Sequence, residues 1–413
     1  LETLIMKLRL ITDGSDLEGV ENTRDIEYIK LLRHSMWLID SWPKGPNESR
    51  VFRIMIVFKW MLLVILDSIY IRNNLGKLTT FDLGHTYITI FMSTVVIVRS
   101  SVLLTRKYHI TTLYFLDKMH LFHFRNQSEY AYETHILVHK ISNFYAIYIM
   151  CMMVMGIFLF NLTPLYNSYA AGMFSSEPNK TGHFDHVAFY ALPFDSTTNL
   201  YGYIVVAIFN FFVSITCSSY FCVLDLSISL MVLHIWGHMR ILTYNLNCFP
   251  KPALSESKTT EISATEVHMY TEEECKMVMS KLRENIIYHS LVLNFVSMMS
   301  DGLGVMISIF YLFNQVSGCL LLLMCSQLDV KSLVRYGPLS LIIFQQMIQV
   351  SVIFELLGSS NDKLTDAVYS VPWEYMDTKY RKMVFFMLKQ SQRSLNLKAM
   401  GMVTVGVQTM TAV

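Results

Sequence analysis

Charge is what this sequence has least of. Charged residues make up 16% of its 413 positions, where soluble domains average about a quarter, and the deficit excludes an ordinary soluble globular chain. Catalytic signatures are missing as well: there is no GxSxG elbow, no Walker loop, no GxGxxG followed by an acidic residue and no HExxH. His135 and His139 have metal-compatible i, i+4 spacing but lack a glutamate and a third ligand. His120 with His123, and His183 with Asp185 and His186, are equally incomplete, and an ordinary interfacial histidine accounts for each. The facing carboxylates that a proton-coupled transporter needs inside its spans are absent. No CxxC suggests zinc, and none of the 7 cysteines falls between Thr163 and Tyr201. They read as small buried hydrophobes rather than a disulfide framework. No cleavable signal pattern opens the sequence, so the first span is expected to direct its own insertion. We expect no enzyme, no cofactor, no metal and no nucleic-acid partner.

What is present is apolar and aromatic: 53% hydrophobic residues, with 27 Met, 26 Phe and 23 Tyr, and a mean hydropathy of +0.39. The expected fold class is an all-α membrane protein with seven transmembrane helices. Spans are expected at 51–71, 83–105, 141–165, 201–226, within 291–327, at 338–357, and from 384 to the end with a break near 391–394, each reaching the twenty or so apolar residues that a bilayer requires. The stretch 291–327 carries the interruption Asp301-Gly302-Leu303-Gly304; it reads as one helix entering from the inner side, the rival being a tight two-helix hairpin. Lys59 is placed to snorkel inward and Asp67 to sit near the outer end of the first span. Residues 1–50 form a polar segment in which Trp37 and Trp42 mark an interfacial helix, residues 51–357 a six-helix ligand-binding region with helical extensions, and residues 358–413 an anchor and final helix.

Loop charge orients these spans. With the N-terminus cytoplasmic, inner segments hold about 22 Lys and Arg against about five in outer loops, and seven spans put the C-terminus outside. That inverts a G-protein-coupled receptor. The third span lacks an acidic-Arg-Tyr triplet and the last lacks Asn-Pro-x-x-Tyr. Asn179-Lys-Thr181 is the glycosylation sequon on the outer side.

The ending is distinctive. Trp373 and Tyr375 precede Arg381-Lys382, a Ser391-Gln392 break and an apolar stretch in which Thr404, Gln408 and Thr411 recur at i, i+4 and i+7. On a helix these share one face, which in lipid must meet protein or water. A pore-lining helix has this pattern; so does a helix whose threonines bond to their own backbone while Gln408 joins a neighbour.

Pro372-Trp373-x-Tyr375, Arg381-Lys382, Met387, Ser391-Gln392, Leu395-x-Leu397-x-Ala399-x-Gly401 and Gln408-Thr409, together with Leu31 to Trp37 and Ser41-Trp42-Pro43, resemble insect odorant receptors of the hymenopteran branch. The resemblance implies a tuning subunit of an odorant-gated, non-selective cation channel in the plasma membrane of olfactory neuron dendrites. It implies a heterotetramer with the co-receptor, whose second inner loop is longer than Arg240 to Glu284 here, and a gate beyond Val413. It also implies a pocket for a small volatile apolar ligand in the outer membrane half. Tyr87, Phe91, Met92, Met153, Gly156, Phe160, Ile208, Phe212, Phe344 and Ile348 are its candidate walls, although Met and Phe at helical spacing also serve packing, and about half of them are expected to touch ligand. Trp373, Tyr375, Arg381 and Lys382 are candidate subunit anchors. The alternative is a seven-helix receptor that signals through a separate transducer without its own pore.

Overall fold

The computed structural model describes residues 12, 14–43, 51–76, 80–175, 182–252, 269–326, 330–392, 398–399 and 403–404. Its helices are α1 (Glu27–Trp37), α2 (Val51–Asn74), α3 (Thr80–Val102), α4 (Arg106–Tyr114), α5 (Glu129–Ala170), α6 (Leu200–Asn247), α7 (Glu272–Cys325), α8 (Val330–Ser370) and α9 (Thr378–Ser391). Side-chain caps set the starts. Ser128 accepts from the Ala131 N–H to open α5, Asn199 accepts from Tyr201 to open α6, and Thr271 and Glu274 close a reciprocal capping box on α7.

Among the described residues five helices are long and apolar enough to cross a membrane, or six if the pair Leu83–Val102 and Arg106–His123, bent by 72°, is one broken span. Their outward faces are apolar: Phe52, Met55, Phe58, Met61 and Ile65 of α2 all stand exposed, as helices facing lipid rather than water do. The 54 residues of α7 extend about 80 Å at 1.5 Å per residue, far beyond a hydrocarbon core of about 30 Å. The hairpin alternative at 291–327 is thereby excluded. Gly302 does not break α7; it admits α4, since a Cβ there would meet Thr111 Oγ1 at 2.8 Å and the Lys107 carbonyl at 3.2 Å.

Inside the bundle, α6 packs most extensively on α8 and α5, α2 on α3, and α7 on α8 and α3. Arg99 of α3 is fully buried; it donates to the Tyr220 carbonyl at 2.8 Å and pairs with Asp225 Oδ1 at 3.0 Å, both on α6. Asp67 departs from expectation. It does not reach the outer surface but is 1% exposed.

The N-terminal helix also differs from the interfacial reading. Its apolar face, Tyr28, Ile29, Leu31, Leu32 and Met36, is buried in the main core, and Trp42 packs against that core, so that Trp37 alone of the two tryptophans projects, 73% exposed. The docking is specified by a hydrogen-bonded chain. His120 Nδ1 accepts from the Phe122 N–H, so its Nε2 donates to the Tyr28 oxygen at 2.7 Å; Tyr28 donates in turn to His234 Nε2 at 3.2 Å, and His234 Nδ1 donates to the Leu230 carbonyl at 2.8 Å. One turn further, His238 Nε2 donates to the Met119 carbonyl and its Nδ1 accepts from Tyr288, both at 2.7 Å.

At the other terminus α9 ends at Ser391, and the next described residues form a two-residue antiparallel ladder, Lys398 opposite Thr404 and Ala399 opposite Val403. Thr404 thus satisfies its backbone across a ladder rather than along the expected helix. Gln408, Thr411 and Asn179 lie outside the described residues.

Burial holds the His238 imidazole down at about 4 and that of His234 at about 3, against about 6.5 in an unfolded chain. The unfolded chain protonates first as pH falls. Stability is therefore fully present above about pH 6.5 and is lost as pH drops towards 4, by up to about 1.4 kcal/mol per pH unit for each such histidine. Melting curves of the detergent-solubilised chain between pH 7.5 and 5 are expected to show this slope, and His238→Gln, which keeps one donor and one acceptor, to flatten it.

Candidate functional site

A cavity of about 130 Å³ opens where six helices and one loop converge. Its walls are Ile88, Thr89, Met92 and Ser93 of α3; Met152, Met153, Gly156, Ile157 and Phe160 of α5; Asn210, Val213, Ser214, Cys217 and Phe221 of α6; Phe313 and Ser317 of α7; and Leu339, Ile342, Ile343 and Gln346 of α8. Trp60 and Asp67 close it from α2, on one face of that helix and seven residues, or about two turns, apart. The volume is close to that of an apolar cavity of about 150 Å³ known to take benzene.

Its lid is the loop between α5 and α6, which contributes Val187, Ala188 and Tyr190. Backbone and side-chain bonds hold the lid: the Ala191 N–H donates to the Leu66 carbonyl at 3.2 Å, His85 Nε2 donates to Val187 at 2.7 Å, and Asn210 Nδ2 donates to Ala188 at 3.2 Å. Nearer α6, the Asp195 carboxylate accepts from the Thr198 hydroxyl and from the Thr197 N–H at 2.8 Å, which holds it down at about 2. Burial, and after it the neighbouring Asp67 carboxylate, pushes the Tyr190 phenol well above the usual range.

Of the candidate wall residues, the structure brings Met92, Met153, Gly156 and Phe160 together around the cavity. Phe91 lies behind them, stacked on Phe313 at 5.8 Å, and Phe344 packs behind Gly318. Tyr87, Phe212 and Ile348 stand about half exposed, while Ile208, 67% exposed, lines a second hollow between α5 and α6. Sequence spacing missed Trp60, Asp67, Asn210, Ser317 and Gln346. The available signal was polarity, since a polar side chain inside an apolar span calls for a partner or a cavity. Trp373 and Tyr375 form a 3-10 turn before α9, and the Tyr375 carbonyl accepts from Tyr270 at 3.3 Å. Arg381 caps that turn by donating to the Met376 and Glu374 carbonyls at 2.7 and 2.9 Å; Lys382 beside it is exposed.

Among the described residues no group of three or more His, Cys, Asp or Glu is arranged to hold a metal ion. The arrangement suits reversible, shape-tolerant binding: apolar walls, flexible thioethers and a few buried polar atoms.

Comparison with known proteins gives two findings. A family model described as 7tm Odorant receptor matches residues 80–413. The fold is similar to that of the insect olfactory receptor OR5 from Machilis hrabei, at 13% identity and a TM-score of 0.71 over 94% of this chain and 96% of that one. It is similar also to the same receptor in complex with eugenol, at 14% identity and a TM-score of 0.70 over the same shares. No curated protein sequence matches.

A Cβ on Gly156 would meet only Ile342 Cδ1, at 3.9 Å. Gly156→Ala is thus expected to hold or raise stability by about 0.5–1 kcal/mol, the usual gain for alanine within a helix. Gly156→Leu should instead occupy the cavity and weaken binding of a benzene-sized ligand about tenfold or more with little change in melting temperature. Unchanged affinity in equilibrium binding would remove Gly156 from the site.

Proposed function

Because this chain belongs to the 7tm odorant receptor family, we propose that it is the odorant-binding tuning subunit of a heterotetrameric, ligand-gated, non-selective cation channel completed by the co-receptor. The observation that carries the ligand half of this reading is the lidded apolar cavity between α2, α3, α5, α6, α7 and α8. Its size fits one small volatile molecule, and the eugenol complex of the Machilis hrabei receptor supports a ligand of that kind here. Met92, Met153, Gly156 and Phe160 form its apolar wall.

Gating follows from differential affinity. A ligand that fits the cavity better in the open arrangement than in the closed one shifts the population towards open, and nothing else about its binding contributes. In this reading the N-terminus is cytoplasmic and the C-terminus extracellular at the plasma membrane of the sensory dendrite. Asn179 is glycosylated on the outer side, and Trp373, Tyr375, Arg381 and Lys382 meet neighbouring subunits. Gln408 and Thr411, beyond the ladder at Thr404, face the shared ion path.

Whole-cell recording tests the proposal. With the co-receptor co-expressed and G-protein signalling blocked, a panel of benzene-sized volatiles is expected to evoke cation current, and this chain alone should evoke none. Current that disappears with the G-protein block would transfer the function to a receptor coupled to a separate transducer.

A further inference from the structure

Asp67 is the one carboxylate of α2 and it lies inside the apolar layer, 1% exposed, with its Oδ1 buried and without a hydrogen-bond partner. Leaving such a group unpaired costs about 1–3 kcal/mol, and more when it is charged, so a carboxyl held this way calls for a partner that comes and goes. It lines the cavity. Other polar atoms of residues that line the same cavity share its condition. Asn210 Oδ1 is buried and unpartnered while its amide nitrogen is spent on Ala188, and Ser317 Oγ and Trp60 Nε1 are likewise buried without partners.

Three of these four atoms, on Asp67, Asn210 and Ser317, are oxygens able to accept, and only Trp60 Nε1 is solely a donor. That fixes the chemistry of the missing partner. An ionised carboxylate only accepts, and a protonated one both donates and accepts. A ligand hydroxyl satisfies either form, a hydrocarbon satisfies neither, and an ether answers only the protonated one. Sites built around a hydrogen bond to a ligand hydroxyl discriminate strongly against analogues lacking it, because the site's own polar group is then stranded.

We propose that Asp67 is the specificity-determining anchor of the cavity, selecting small apolar ligands that carry a hydroxyl donor over hydrocarbons of the same shape. The inference rests on the cavity being the ligand site. It adds the head-group class that the apolar walls leave open.

Benzyl alcohol and ethylbenzene, equal in heavy atoms and shape, are the probes. Their binding to the full chain in lipid nanodiscs is measured by equilibrium dialysis for the wild type, Asp67→Leu and Gly156→Leu. The ratio of alcohol to hydrocarbon affinity is expected to fall about tenfold or more in Asp67→Leu, which corresponds to about 1.4 kcal/mol, while ethylbenzene binding is kept or improved. Taking away an unpaired buried carboxyl leaves nothing stranded, so the variant should fold; if it does not, Asp67→Met carries the same expectation. An unchanged ratio overturns the anchor. If ethylbenzene binds, and Gly156→Leu abolishes that binding, the cavity stands although the anchor falls; if neither probe binds the wild type, both fall.

Discussion

A guanidinium within an apolar layer has no water to turn to and cannot shed its proton. Arg99 meets that constraint in part through α6: its Nη1 donates to the Tyr220 carbonyl and pairs with Asp225 at 3.0 Å, its guanidinium lies 4.8 Å above the Phe221 ring, and Nε and Nη2 are buried without a hydrogen-bond partner. A buried pair of this kind adds little net stability against an apolar replacement, yet breaking it by removing one partner is costly. Its consequence here is register. Because α3 and α6 are tied at Arg99 and Asp225, the two helices share one register in which Met92 and Ser93 of α3 and Ser214, Cys217 and Phe221 of α6 all line the cavity.

The two ends of the bundle divide the work. Beyond Arg99 lies the network of His120, Tyr28, His234, His238 and Tyr288, in which each imidazole has a defined tautomer and burial keeps it neutral. Directional bonds of that kind permit one arrangement and make a rigid base. On the other side of Arg99, the walls are thioethers, small side chains and rings, with few directional bonds and room for one small molecule. An apolar site of that composition repacks cheaply. A ligand there can bias helix positions while the far end holds still.

At 13% identity over nearly the whole length, this chain and the Machilis hrabei receptor keep one fold. Apolar periodicity within each span and compatible helix ends are enough to conserve helix order and packing, and they tolerate almost any exchange among Leu, Ile, Val, Met and Phe. Cavity chemistry is under no such constraint. A residue such as Asp67 occupies one position of one helix, and the fold is indifferent to it.

The sequence by itself determined the class: low charge, long apolar runs and the Lys and Arg bias make a polytopic helical protein, and the resemblance at residues 31–43 and 372–401 named its family. Those signals are local and additive, so they survive without knowledge of packing. It also marked Met92, Met153, Gly156 and Phe160, whose spacing shares a face with other apolar positions. Only tertiary structure decided which face of each helix meets a cavity, because Tyr87, Ile208 and Ile348 have the same composition and spacing yet turn outward. Likewise an aspartate near a span's end reads as solvated until the loop carrying Val187, Ala188 and Tyr190 folds over it. Helix rotation and loop closure are set by long-range contacts such as Ala191 to Leu66 and Arg99 to Asp225, and no stretch of the chain encodes either partner's position alone.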